Sequence, residues 1–229
     1  MKALAIDCAV SKIAIACKNG DNSVKLVYDL GIRQSEKLLP AIDFVLKELS
    51  LLPSQLDYCS LTVGPGSFTG LRLGLSTLKA INLACGTPVY GIGSLEAYAY
   101  QYSSGRESVI SVIEAKEDEY FFQFFHGGKP LTKVDYGDTK GIVGRLSHEG
   151  VTLVAGPGTE SFLEGACGMD PLLSLEGFGS GGDCTCGLFA LAEKMVAAGE
   201  KPLEDYDGPI YARKSEAELV LEAKNSASK

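Results

Sequence analysis

With 229 residues, 45% of them hydrophobic and 22% charged, the chain can build a sizeable core and carries too little charge for wholesale disorder. A formal net charge of −8 repels a phosphate backbone, so direct nucleic-acid binding by this chain alone is disfavoured, a local basic patch excepted. No stretch approaches the roughly eighteen apolar residues of a membrane span, and seven cysteines, four of them in apolar or helical runs, fit the reduced thiols of a cytoplasmic protein.

The opening Met1 to Ile6 runs straight into an acid, Asp7, which is not the pattern of a signal peptide. Residues 2–6 and 13–17 are predicted strands separated by the polar Ser11-Lys12. The turn signal Asn19-Gly20-Asp21-Asn22 and the run Val24 to Leu30 add a third strand, so the chain starts as an antiparallel meander. The period then changes. Leu38, Leu39, Ile42, Val45, Leu46 and Leu49 follow a 3.6-residue spacing, which predicts an amphipathic helix over 36–50 with Pro40 in its first turn. A strand over 59–63, a helix over 67–84, a strand over 89–91 and a helix over 94–102 complete an α/β unit.

The polar stretch Ser103-Ser104-Gly105-Arg106-Glu107 reads as a boundary dividing the chain into 1–104 and 105–229. Beyond it the spacing predicts strands over 109–114 and 120–125, a helix near 139–148, a strand over 151–155, a glycine-rich loop over 177–187 and a helix over 187–199. Strands followed by alternating helices and strands thus occur twice. Two similar α/β halves are expected, although the unequal offsets do not by themselves prove a duplication.

The most informative stretch is Gly64-Pro-Gly-Ser-Phe-Thr-Gly-Leu-Arg72, between an apolar strand and a helical pattern. Strand, glycine-rich turn and helix can present backbone N–H groups to a phosphate, and the residues for such a cradle are Gly64, Gly66, Ser67 and Thr69, with Asp7 nearby. The nucleotide fingerprints are incomplete, however. No lysine follows Gly70, and Thr69 stands where a dinucleotide motif needs its third glycine. Gly91-Ile-Gly93 and Gly156-Pro-Gly158 fail in the same way, at Glu96 and Ser161. The helix beyond the loop carries small residues four apart, Gly70 and Gly74, then Ser76, Ala80 and Ala84. Such ridges let another helix approach closely, and each glycine costs a helix roughly 1 kcal/mol against alanine. On the residues alone, packing surface and phosphate cradle both stand.

Other polar residues carry weaker signals. His126 and His148 have no second ligand at metal spacing, and Cys184-Thr-Cys186 has no second pair. Ser67 does not sit in a hydrolase elbow and reads as a helix N-cap. Asp7, ending the first strand, is either a buried, hydrogen-bonded turn acid or the acid that holds a metal or water in a phosphate hairpin.

Ala5-Ile-Asp7, Gln34-Ser-Glu-Lys-Leu-Leu-Pro40, Val63 to Gly74, Pro88 to Ala97 and Pro209-Ile-Tyr-Ala-Arg213 together resemble the TsaB (YeaZ) family. The resemblance covers nearly all of residues 1–125 and about the last twenty, and is thin over 126–205. It implies an α/β fold of two RNase H-like halves, in the actin/Hsp70/sugar-kinase superfamily. It implies a non-catalytic accessory subunit in making threonylcarbamoyladenosine in tRNAs that read codons starting with A. The implied partners are a catalytic TsaD-like paralogue and a TsaE-like ATPase, with tRNA reached only through the complex. ATP and a divalent metal would be used by the complex, with no cofactor held by this chain alone.

The implied pairing surface is the helices over 36–50 and 67–84, with Leu39, Ile42, Leu46, Gly70, Leu71, Gly74, Leu75 and Leu78 expected at the interface. Without its partner the chain is expected to form a homodimer through the same helices. In the catalytic paralogue a His-x-x-x-His metal pair falls where this chain has Ser94 and Tyr98, so no metal site of its own is implied. The chain departs from the family in opening its first helix with Gln34 rather than histidine, and in reading Glu114-Ala-Lys-Glu117 where Asp-Ala-Arg-Arg is usual. Ala9 stands where sugar kinases have a glycine. An independent small-molecule kinase or ATPase of the same fold is the alternative, motivated by Asp7 and the three Gly-x-Gly turns. A peptidase finds no Ser/His/Asp set or metal pair.

Overall fold

Two mixed sheets form the frame of the computed structural model, which describes residues 1–29, 33–103, 108–177 and 183–210. In the first sheet β1 (Lys2–Asp7), β2 (Lys12–Asn19) and β3 (Asn22–Asp29) form the antiparallel meander. β4 (Tyr58–Gly64) pairs parallel with β1, and β5 (Val89–Gly93) parallel with β4, giving the order β3-β2-β1-β4-β5. The central strands are covered on both faces, and that is why they read as continuous apolar runs rather than alternating ones.

The second sheet contains β6 (Ser108–Lys116), β7 (Glu119–His126), the short β8 (Lys129–Pro130) and β9 (Asp135–Asp138), then β10 (Val151–Ala155) and β11 (Ser174–Gly177). Its order is β11-β10-β6-β7-β8, with β9 also paired to β7. In both sheets the first strand sits centrally, with its antiparallel hairpin on one side and two parallel strands on the other. β1 therefore corresponds to β6, β4 to β10 and β5 to β11. The two halves share an RNase H-like topology that the unequal sequence offsets conceal.

Six α-helices among the described residues layer these sheets: α1 (Gln34–Glu48), α2 (Phe68–Cys85), α3 (Ser94–Ser103), α4 (Thr139–Val143), α5 (Thr159–Ala166) and α6 (Thr185–Ala198). α1 and α2 cover the outer face of the first sheet, and α4 and α5 cover the outer face of the second. α3 and α6 pack on each other between the sheets. β1 explains how one strand serves two layers. Leu4 and Ile6 point towards α1 and α2, whereas the small Ala3 and Ala5 face α6 with Leu188 and Ala192. Side-chain size on alternating positions sets how closely each helix approaches.

The division at 104/105 does not follow this packing. Residues 104–107 lie outside those described, and α6, although late in the chain, covers the first sheet. The segment after α6 returns to the same half: Leu203 N–H donates to Val89 O and Ile210 N–H to Val63 O, each at 2.7 Å. The first half is therefore residues from both ends of the chain. Tyr211 to Arg213 lie outside the described residues.

Local expectations differ in three places. α1 begins at Gln34, so Pro40 falls inside the helix rather than in its first turn. It lies on the solvent side, where the carbonyl left without its usual N–H donor can be hydrated. α4 ends at Val143 instead of continuing to 148, because Gly144 caps it and the Ser-His-Glu-Gly stretch cannot extend a buried stripe. α5, β9 and β11 form from stretches with no strong hydrophobic period.

α2 shows what its two small-residue ridges do. Ser67 caps it, its Oγ accepting from Gly70 N–H at 3.3 Å. A Cβ on Gly70 would come within 2.1 Å of the Cys8 carbonyl oxygen, so that glycine lets α2 seat on the β1–β2 hairpin of its own chain. Gly74 faces the same way, but its Cβ would meet the Cys8 Sγ at an ordinary 3.6 Å. Ser76, Ala80 and Ala84 form the outward ridge. Gly70→Ala is expected to destabilise the chain by about 1–3 kcal/mol through overpacking. Gly74→Ala should be neutral or stabilising by up to about 1 kcal/mol through helix propensity. Urea unfolding of the two variants checks the contrast.

Candidate functional site

Two regions merit description as sites: the cleft at Asp7 and the outer face of α1 and α2. Asp7 ends β1, where the hairpin turns, and is only 2% exposed. Its carboxylate accepts from the Ala9 N–H and the Thr62 hydroxyl, both at 2.9 Å, and from the Tyr98 hydroxyl at 2.5 Å. The Cys184 thiol at the start of α6 is also hydrogen-bonded to it. Burial, then the charge of Asp7, push the Tyr98 hydroxyl and the Cys184 thiol well above their ordinary values, so both remain protonated donors. One acid thus gathers donors from β4, α3, α6 and its own hairpin. This is the buried, hydrogen-bonded aspartate of the first expectation.

Asp7 also reaches the wall of a cleft of about 280 Å³ between the halves, lined by Ser11, Lys12, Asp29, Tyr98, Pro157 and Asp183. Burial would raise the Asp183 carboxyl, but hydrogen bonds from Lys25 and Thr185 outweigh it and hold that carboxyl below its ordinary value. Among the described lining residues, three carboxylates stand against one lysine, a balance unfavourable to phosphate. Ser94 and Tyr98 give the cleft no imidazole pair. Ser94 Oγ is buried without a hydrogen-bond partner, and Tyr98 is committed to Asp7. Among the described residues, no three His, Cys, Asp or Glu side chains come together as a metal-ligand group.

The proposed phosphate cradle is occupied by the chain itself. Ser67 N–H donates to Ala9 O at 2.6 Å, and Gly70 N–H is spent on the Ser67 cap. A Cβ on Gly66 would lie 2.4 Å from Ala9 O, and one on Gly64 2.2 Å from Ile210 O. These glycines admit protein backbone rather than leave space for a ligand. Gly64, Gly66, Ser67 and Thr69 do not line the Asp7 cleft.

The eight residues expected at a partner surface need correction. Ile42, Leu46, Leu71, Leu75 and Leu78 are buried in the chain's own core, and Gly70 and Gly74 face Cys8. Only Leu39, at 63% exposure, is turned outwards. The 3.6-residue stripe picks out the face a helix gives to its own sheet. The outward signal lies in Leu39, at the exposed edge of that stripe, and in two apolar residues off it, Phe44 and, 89% exposed, Leu83. Between the helices runs an open apolar groove of about 430 Å³, lined by Leu39, Pro53, Ser76, Thr77, Ala80, Ile81, Ala84 and Cys85.

Gln34, the departure at the head of α1, is a clamp. Its buried Nε2 donates to Val10 O at 2.6 Å and Ser11 O at 2.9 Å, tying α1 to the β1–β2 turn. Cys184 is buried and Cys186 exposed, so the Cys-x-Cys spacing does not make a paired site. Burial pushes the Cys17 thiol up to about 11 and the Cys59 thiol up to about 12, which makes both unreactive at neutral pH. Glu114 accepts from Ser161 Oγ at 3.2 Å.

The family model for TsaD, tRNA N6-adenosine threonylcarbamoyltransferase, matches residues 32–129, which include α1, α2 and α3. The tRNA threonylcarbamoyladenosine biosynthesis protein TsaB of Escherichia coli is 27% identical over 125 residues, covering 53% of this chain and 54% of that protein. TsaB of Bacillus subtilis is 29% identical over 134 residues, covering 56% and 57%. YeaZ from Pseudomonas aeruginosa superposes with a TM-score of 0.73 at 20% identity, covering 92% of this chain and 99% of that one. The chain is similar to proteins of the TsaB (YeaZ) family over its first half and has the YeaZ fold. The chain spans between 33% and 58% of the length of these curated relatives. The YeaZ superposition shows that the fold extends beyond the matched sequence, through both halves.

Tyr98→Phe removes a charge-assisted donor from buried Asp7 and is expected to cost about 1.5–3 kcal/mol, read by urea unfolding at neutral pH. The Asp183 contribution has the sign of a depressed carboxyl. It is present above the ordinary aspartate value of about 3.9 and lost as pH falls below it, and Asp183→Asn should flatten that acid limb of stability.

Proposed function

We propose that the chain is a non-catalytic partner subunit in the formation of threonylcarbamoyladenosine in tRNA, binding and activating a TsaD-type transferase. The observation that carries this reading is the uncovered groove between α1 and α2. An exposed Leu83, an exposed Leu39 and a ridge of Ser76, Ala80 and Ala84 are what one helix pair offers to another. Both helices lie within the segment that matches the TsaD model, so the surface belongs to the part of the fold the two families share.

Chemistry is left to the partner in this reading. Asp7 is surrounded by protein donors and Tyr98 stands at the position of a metal-binding histidine in the paralogue, so the side chains here do not fit a catalytic metal. ATP and a divalent metal would act in the complex, joined by a TsaE-type ATPase, and tRNA would be met there. In isolation the same groove favours a homodimer.

Co-expression with TsaD followed by size-exclusion chromatography tests the proposal: a stable complex is expected, and two folded proteins eluting apart would defeat it. Ala80→Arg, which places a charge in the groove without touching the core, should weaken association at least tenfold, about 1.4 kcal/mol, with the unfolding midpoint unchanged. The alternative of an independent kinase or ATPase rests on the acid at the cleft. Titration calorimetry of the isolated chain with ATP and magnesium separates the two, since sub-millimolar binding would favour the enzyme.

A further inference from the structure

The segment that follows α6 has a construction unlike an ordinary loop. Leu203 N–H is fixed to Val89 O at the start of β5, and Ile210 N–H to Val63 O near the end of β4. Leu203 packs against the core, where a Cβ on Gly91 would touch it. Between these anchors the chain turns, with Glu204 N–H donating to Asp207 Oδ2 at 2.7 Å. Lys79 on α2 reaches into that turn. Its Nζ donates to the carbonyl oxygens of Glu204, Asp205 and Asp207 at 2.9, 2.6 and 2.6 Å. A single ammonium thus fixes three backbone carbonyls, and residues 203–210 form a strap held to the flank of α2.

The strap's position follows from the sheet order. α1 lies over β2 and β3, and α2 over β4 and β5. The strap joins β4 and β5 and is tied to α2, so it flanks α2 on the side away from α1. Its exposed side chains are Tyr206, with its whole surface in solvent, Ile210 at 61%, and the acids Glu204, Asp205 and Asp207. A fully exposed aromatic on a turn fixed at both ends and in the middle is preorganised for contact, because little side-chain or loop entropy remains to be lost on docking. The charge of the strap selects its partner. Three carboxylates face outwards against one lysine whose donors are already used. A second copy meeting this strap would set carboxylate against carboxylate, on a chain of net charge −8.

We infer that the strap 203–210 is a docking element that favours a heterologous protein partner presenting basic side chains around an apolar seat for Tyr206, over a second copy of this chain. The inference rests on the reading that α1 and α2 form the pairing surface, and extends that surface to the far flank of α2. Lys79 is its positioning residue, acting by holding the strap in place.

The experiment compares variants of the full chain for association with TsaD and with themselves, at low and high salt. Tyr206→Ala and the double variant Glu204→Lys/Asp205→Lys are expected to weaken TsaD binding at least tenfold. The charge reversal should leave self-association unchanged or tighter and should remove most of the salt dependence of TsaD binding. Lys79→Met should weaken TsaD binding and speed amide exchange at 204–208, with the unfolding midpoint within a degree or two of wild type. If wild type binds TsaD and Ala80→Arg does not, yet the strap variants bind as wild type, the strap inference is overturned alone. If wild type fails to bind TsaD, both readings fall.

Discussion

Asp7 is the point on which the arrangement turns. A carboxylate removed from water is costly unless several donors replace the solvent. Here they come from Thr62 of β4, Tyr98 of α3, Cys184 at the head of α6 and the Ala9 amide. Each donor lies on a different element, so satisfying one acid fixes the relative placement of the first sheet, the helix layer between the sheets and the hairpin on which α2 sits. In this chain the acid faces the protein, and the interior gains a polar tie where a substrate site would otherwise need open space.

α2 carries a second constraint, expressed on its two faces. Gly70 and Gly74 look inwards, where Gly70 permits close seating on the hairpin, whereas Ser76 and Ala80 look outwards and leave a shallow surface. The two ridges have the same spacing, and both are built from small residues. They differ in what lies opposite, which is a property of the fold and not of the helix.

That distinction marks what could be read from the sequence and what could not. The meander, the amphipathic α1, the loop before α2 and the doubling of the α/β pattern follow from period and turn residues, and most elements begin within two residues of expectation. The outward apolar residues of α1 and α2 did not follow. Ile42, Leu46 and Leu78 obey the 3.6-residue stripe because they bury against β-strands, and a stripe of that kind marks a helix's own core. Leu83 and Phe44 break the stripe, and an apolar residue in the wrong place is the better sign of a surface awaiting cover. α6 misled for another reason: chain order places it in the second half, but Leu188 and Ala192 find their complement in Ala3 and Ala5. Long-range complementarity of that kind leaves no local trace.

The return of α6 and residues 203–210 to the first sheet also orders events during synthesis. The face of β1 and β4 that carries Ala3, Ala5 and Tyr58 is made early, yet the side chains that cover it, Leu188 and Ala192, emerge near the end of the described chain. While the second half is being made, the first remains an open-faced sheet with one side dry and one side wet. A ribosome stalled before α6 therefore releases a sheet with an apolar face bare, the form that chaperones and proteases recognise. Threading the last helix between the two sheets makes the integrity of the whole chain a condition for finishing its beginning.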